Sequence, residues 1–201
     1  MEKKTFLTIL ALVVAANGCL VLHAFAPKHI GHARSAPVEI GDAGFKTGDL
    51  VFRRGYGLVS ELLRKSGRRE QRFSHAGIVW MEQGRTYVLH MAAEPESGLN
   101  RCSISDFVAP DVAFESAVYR LPLSPDMQFK LLELLSHEQQ ISRPFDEAFA
   151  LGNGEAQYCT EWLAGLLTRS GYTMNLPVDF VAPDDIYLQS GSRRVCTFDE
   201  R

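Results

Sequence analysis

The sequence holds four cysteines and six histidines, and the chemistry open to it turns on which of them the fold can bring together. A thiol beside an imidazole is an activated nucleophile: the imidazole takes the thiol proton and the thiolate attacks a carbonyl carbon. Cys159 stands where a helix should begin, three and four residues before Trp162 and Leu163. Its side chain should therefore share the inward face of that helix. Unpaired N–H groups at a helix start lower a thiol pKa and can hold an oxyanion. His75 and His90 each lie in an otherwise apolar run, FSHAGIVW and TYVLHMA, where an imidazole needs a partner for each ring nitrogen. Taken singly, each fits a satisfied core histidine. On neighbouring strands of one hairpin, the two come within hydrogen-bonding reach of each other.

The other candidates have plainer roles. Cys19, His23, His29 and His32 precede the domain, and His137 falls on the polar face of a helix. Cys102 is expected in a loop with no histidine-bearing strand beside it, as a structural thiol. Three cysteines in the domain are an odd number, so at least one is unpaired within the chain, and the spacing leaves Cys102–Cys196 pairing open. Asp49 in the Gly48-Asp49 turn has the type of a turn-stabilising residue.

The elements that must place these residues are short. LVF at 50–52 after a Gly-Asp turn is a strand, and Ser60–Ser66 reads as a helix capped by Ser60. Phe73–Trp80 and Thr86–Ala92 form a hairpin whose five-residue loop is Met81–Arg85, and Ser116–Leu121 is a further strand. Ser124-Pro125 opens a helix with Met127, Leu131, Leu134 and Leu135 on one face. A second helix runs from about Cys159 to Ser170 and stops at Gly171, and Pro183–Leu188 is a last short one. Arg64, Lys65, Arg68, Arg69 and Arg72 against Glu70 make a basic run, either a solvated helix end or a contact for anionic lipid or polymer.

The 201 residues, 46% hydrophobic and 22% charged, describe one globular domain. The formal net charge of -3 provides no general pull on phosphate backbones, which argues against nucleic acid as a partner. Lys3 and Lys4 followed by the apolar run Phe6–Ala26 read as an export signal or membrane anchor; roughly 20 residues span a bilayer core. An uncleaved anchor is the favoured fate. Lipidation at Cys19 in AANGC and cleavage after Ala24-Phe25-Ala26, which Pro27 opposes, are the alternatives. The organisation is then 1–26 signal or anchor, 27–44 tether, 45–190 domain and 191–201 C-terminal tail. The tether and anchor carry net positive charge and the domain net negative.

The order of these features resembles the permuted papain-like cysteine hydrolases of the NlpC superfamily, relatives of lecithin retinol acyltransferase, and within them the YiiX-type branch. The motifs are Gly48-Asp49 before the first strand, Ser74-His75-Ala76-Gly77-Ile78-Val79 on the second, then Pro144-Phe145-Asp146, Tyr158-Cys159-Thr160-Glu161 and Ala182-Pro183-Asp184-Asp185-Ile186-Tyr187. The resemblance spans about residues 45–190. It implies an α+β fold of the circularly permuted papain-like type, with an antiparallel sheet packed against helices. It also implies Cys159 as nucleophile, His75 as general base and His90 as orienting residue, with Glu94 or Glu96 as alternatives for the third place and Glu161, Tyr158 and Asp49 as accessory residues. Such an enzyme needs no metal or organic cofactor. Its expected substrate is an amide- or ester-bearing peptide or lipid at a bacterial cell envelope, with membrane contact through the N-terminal segment. The other expectation is a noncatalytic lipid- or muropeptide-binding module on the same scaffold.

Overall fold

The computed structural model describes residues 44–152 and 154–199; the apolar run and nearly all of the tether lie outside them. Among the described residues no helix is long and apolar enough to cross a membrane. The strands are β1 (Leu50–Gly55), β2 (His75–Glu82), β3 (Arg85–Ala92), β4 (Gly98–Ser103), β5 (Ala113–Arg120) and β6 (Arg193–Asp199). The helices are α1 (Gly57–Lys65), α2 (Ile104–Phe107), α3 (Pro125–Glu138), α4 (Cys159–Arg169) and α5 (Pro183–Tyr187). The strands form one antiparallel sheet in the order β4-β3-β2-β1-β5-β6. The architecture is thus α+β, as expected.

Alternation along the strands gives the sheet two buried faces. Leu50, Phe52, Ala76, Ile78, Leu89 and Met91 point to the side covered by α3, α4 and α5, where Leu131, Leu135, Trp162 and Leu166 complete the main core. Fully burying each of the Leu, Ile, Phe and Met side chains stabilises by about 1.5–3 kcal/mol. Val51, Val79, Val88 and Val118 point the other way and pack against Ile104, Phe107 and Val108. Position 53 continues the side of Val51, position 75 that of Val79 and position 90 that of Val88, so Arg53, His75 and His90 all face the α2 side.

Several local expectations change. Glu82 pairs with Arg85, so the β2–β3 turn is Gln83-Gly84 alone, both with positive φ (49° and 74°), rather than a five-residue loop. That is the type I′ geometry, whose twist matches a tight hairpin; glutamine is not one of its usual residues, which hid it. Helix α1 starts at Gly57, and Ser60 is not its cap: its hydroxyl donates to Gly55 O (2.8 Å) and meets Ser74 Oγ at 2.6 Å. The basic run is engaged inside the fold. Arg64 and Lys65 pair with Glu61, Arg68 with Asp179 and Asp185, and Arg72 with Glu115, while Arg69 donates to Leu188 O. Those contacts dock the segment after α1 onto α5 and β5, which leaves little of the charge to form a lipid-binding patch.

The C-terminal residues read as a tail form strand β6, which pairs with β5 and places Val195, Cys196 and Phe198 against the second cluster. Cys102, expected in a loop, lies on β4 opposite Val88. Cys102 and Cys196 therefore sit on opposite edge strands, with four strands between them at about 4.8 Å spacing, and all three domain cysteines are free. Truncating the chain after Ser192 removes β6 and uncovers part of the second cluster. The truncated protein should unfold at a clearly lower urea concentration, by at least about 2 kcal/mol; an unchanged midpoint would assign β6 no part in stability.

Candidate functional site

The β2–β3 hairpin sets the central contact. Ile78 pairs with Leu89, and continuing that register brings His90 across from Gly77, with His75 two residues further on the same face. His75 Nε2 and His90 Nδ1 lie 3.0 Å apart, their rings nearly perpendicular at 87°. Gly77 makes this approach achievable. A Cβ there would meet Val88 Cγ1 at 2.6 Å, Leu89 O at 3.0 Å and His90 Cβ at 3.2 Å. Glu94 and Glu96, the alternatives for the third place, are exposed beyond the end of β3, so it is His90 that stands beside His75.

Phe107 of α2 covers the pair. Its ring stacks on His75 (centroids 5.7 Å, 27°) and meets the edge of His90 (5.2 Å, 69°). Arg53, directly opposite His75 on β1, places its guanidinium carbon 4.4 Å from the centre of the same ring and donates from Nη1 to Phe107 O at 3.1 Å. Phe107 was not expected at the site, and Arg53 was expected only as part of a segment, Arg53–Gly57, lining the cleft. Arg53 was legible as an odd position in a strand whose neighbours are buried, whereas the four-residue α2 has no periodic signal. His90 is 6% exposed; its Nε2 lies 3.7 Å from Cys102 Sγ. The expectation of an isolated Cys102 thus fails, because β4 carries it back along β3.

Cys159 opens α4 from the other side of the sheet and is buried, at 4% exposure. The N–H groups of Ala76, Thr160 and Cys159 itself lie close enough to its sulfur to favour negative charge there. Ala76 is the residue after His75, so the thiol is fixed at the peptide next to the imidazole. No hydrogen bond joins the two side chains directly, and His75 Nδ1 is the ring nitrogen His90 leaves free.

The flanks of Cys159 are structural. Tyr158 Oη accepts from Val181 N (2.9 Å) and Thr160 Oγ1 donates to Val181 O (2.6 Å), so the backbone of one residue clamps both neighbours of the thiol. Glu161 Oε1 accepts from Gly152 N (3.0 Å), tying the loop before α4 to its first turn, while its Oε2 is buried without a hydrogen-bond partner. Asp49 accepts Lys46 N and pairs with Arg120 at 2.6 Å, as a turn residue should. Glu138 fixes α3 to α4 through Trp162 Nε1 (3.1 Å) and Arg169 (2.9 Å). Leu151 and Gln157 line a cavity of about 490 Å³ with Glu161 and Gly165, along a face of α4 away from the histidines.

Burial controls the charges. It pushes His75 well below 6.5, with Arg53 and then His90 adding to the effect, and it lowers His90 to about 3, again with help from Arg53. Burial raises the Cys159 thiol above the ordinary 9.0, against the opposing pull of its three N–H donors and Arg53. The resting site is therefore a neutral thiol and two neutral imidazoles beside one guanidinium.

The unfolded chain binds a proton at His90 near pH 6.5 and the folded chain only near 3. Stability from this residue is thus intact above pH 6.5 and falls as the pH drops through that interval. Denaturant titrations at pH 7 and pH 4 should show a smaller acid-induced loss in His90→Gln than in the unmodified protein; equal losses would contradict a buried, neutral His90.

No family model matches the chain, and no curated protein matches its sequence. The fold is similar to the crystal structure of the metalloprotein yiiX from Escherichia coli O157:H7, with a TM-score of 0.58 and 17% identity, over 77% of this chain and 98% of that one. The chain thus has a YiiX-like fold. As for a metal here, no group of three or more His, Cys, Asp or Glu side chains among the described residues is placed to hold one. Both nitrogens of His90 are engaged, and Arg53 sets a fixed positive charge where a cation would bind. Among the described residues, the donors at this site do not fit a metal.

Proposed function

We propose that this YiiX-like domain is a cysteine hydrolase or acyl transferase of the permuted papain-like type, with Cys159 as nucleophile, His75 as general base and His90 as orienting residue. The observation that carries the reading is the 3.0 Å His75 Nε2···His90 Nδ1 contact, which leaves Nδ1 of His75 for a thiol held at the adjacent peptide. The chain order, histidine strands first and nucleophile helix late, is the order such a permuted fold requires.

In the proposed reaction, His75 Nδ1 accepts the Cys159 proton as sulfur bonds to the carbonyl carbon of an amide or ester. The oxyanion is held by N–H groups at the start of α4. His75 then returns the proton to the leaving amine or alkoxide, the C–N or C–O bond breaks and an acyl-enzyme remains. Water or another acceptor attacks it, giving its proton to His75, and the thiolate leaves and is reprotonated. Because both partners rest neutral, proton transfer accompanies attack rather than preceding it. Arg53 favours this order: it disfavours an imidazolium in the resting site while stabilising negative charge on sulfur.

The substrate class that fits is a cell-wall peptide amide or a lipid ester or N-acyl amide, met at the envelope by a domain that the N-terminal segment exports or tethers. The test is labelling of the full chain with a thiol-directed acylating probe. Cys159→Ala should abolish labelling at the site and His75→Ala should slow it by at least about 100-fold, while Cys196→Ala leaves it unchanged. Labelling of Cys159 that is indifferent to His75 would instead fit a noncatalytic binding module. A screen of peptide amides against acyl esters then separates the substrate classes.

A further inference from the structure

We propose that Cys102 is a positioning residue: by accepting the Nε2 proton of His90, it selects the tautomer in which His75 keeps a free Nδ1 lone pair for the proton of Cys159. The inference rests on the reading of His75 as general base, and it assigns a role to a thiol that the reaction itself does not use.

The argument is one of counting protons. Between His75 Nε2 and His90 Nδ1, 3.0 Å apart, there is room for one proton. If His75 donates it, Nδ1 of His75 is bare and competent as a base, and the proton of His90 must sit on Nε2. If His90 donates it, the proton of His75 sits on Nδ1, where it blocks transfer from the thiol. The choice is therefore made at His90 Nε2.

That atom has few options. His90 is 6% exposed, so bulk water is not a ready partner. Asn100, its direct cross-strand neighbour, donates its side-chain amide to Glu96 O (2.6 Å) and Gly98 O (3.0 Å) instead. What remains is Cys102 Sγ, two residues further along β4, at 3.7 Å. A buried N–H without an acceptor is costlier than a bare lone pair, so removing the sulfur drives His90 to the Nδ1–H form and disables His75. The charged and titratable groups facing Cys102 are Arg53 of β1, His90 of β3 and Asp106 of α2. Burial lifts the thiol to about 11, so it acts as a neutral acceptor at physiological pH.

The test compares Cys102→Val, Cys102→Ala and Cys102→Ser in the full chain, by two readouts. In ¹⁵N spectra of the histidine side chains, the unmodified protein and the serine variant should show His90 protonated at Nε2, and the valine and alanine variants at Nδ1. The maximal rate of Cys159 labelling should fall about tenfold in valine and alanine and recover in serine, with the probe concentration at half-saturation unchanged. Unchanged ¹⁵N shifts in valine and alanine would overturn the proposal, as would a serine variant no faster than alanine, which would mean that Cys102 only fills space. Should Cys159 prove unreactive in every form, the hydrolase reading fails, while the nitrogen spectra still decide whether Cys102 sets the tautomer.

Discussion

The hydrogen bond between His75 and His90 is the contact on which the rest of the site depends. It exists because a two-residue turn fixes the β2–β3 register, because Gly77 offers no side chain where His90 must pass, and because Phe107 roofs both rings. A shift of one residue in that register would send His90 to the opposite face of the sheet, under α4, and leave His75 alone. The two buried faces of the sheet resist such a slip, since each strand carries apolar side chains that both clusters need. Packing thus enforces the geometry of a polar pair whose own net stabilisation is about 1 kcal/mol.

The electrostatics follow from the same burial. Desolvation drives all three proton-bearing groups toward neutrality: the histidines fall and the thiol rises. Arg53 is the cation left in their midst, anchored by Phe107 through its ring and its carbonyl. Its charge and the three N–H donors on Cys159 oppose desolvation at sulfur and reinforce it at the imidazoles. A site arranged in this way stores no preformed thiolate; on the proposed reading it favours negative charge on sulfur when a substrate carbonyl arrives.

Much of this was legible in the sequence, for reasons specific to each residue. Cys159 announced itself because a helix start and an inward stripe are local signals, and α3 begins at its Ser124 cap and Pro125, α4 stops before Gly171 and α5 begins at Pro183. The two strand histidines were legible because a polar residue interrupts an apolar run. What escaped were features decided by distant partners. Strand β4, GLNRCS, has too little apolar character to stand out, so Cys102 was misplaced, and β6 looks like a polar tail until β5 is there to pair with it. The basic run looked like a surface patch because its carboxylate partners lie mostly on other elements, Asp179 and Asp185 more than a hundred residues away. Arg53 carried a signal, a charge in a buried strand, whose meaning depends on two histidines it meets only in the folded sheet.

The central claim is that Cys159 rests as a neutral thiol beside a neutral His75 and reacts as its proton leaves. The rate of Cys159 alkylation by a small uncharged reagent, measured across pH with the modified residue identified by mass, tests it most directly. The account predicts a rate that keeps rising through and above pH 9, because burial holds the thiol above its ordinary value of 9.0. A plateau reached between pH 5 and 7, the signature of a preformed thiolate–imidazolium pair, would contradict it.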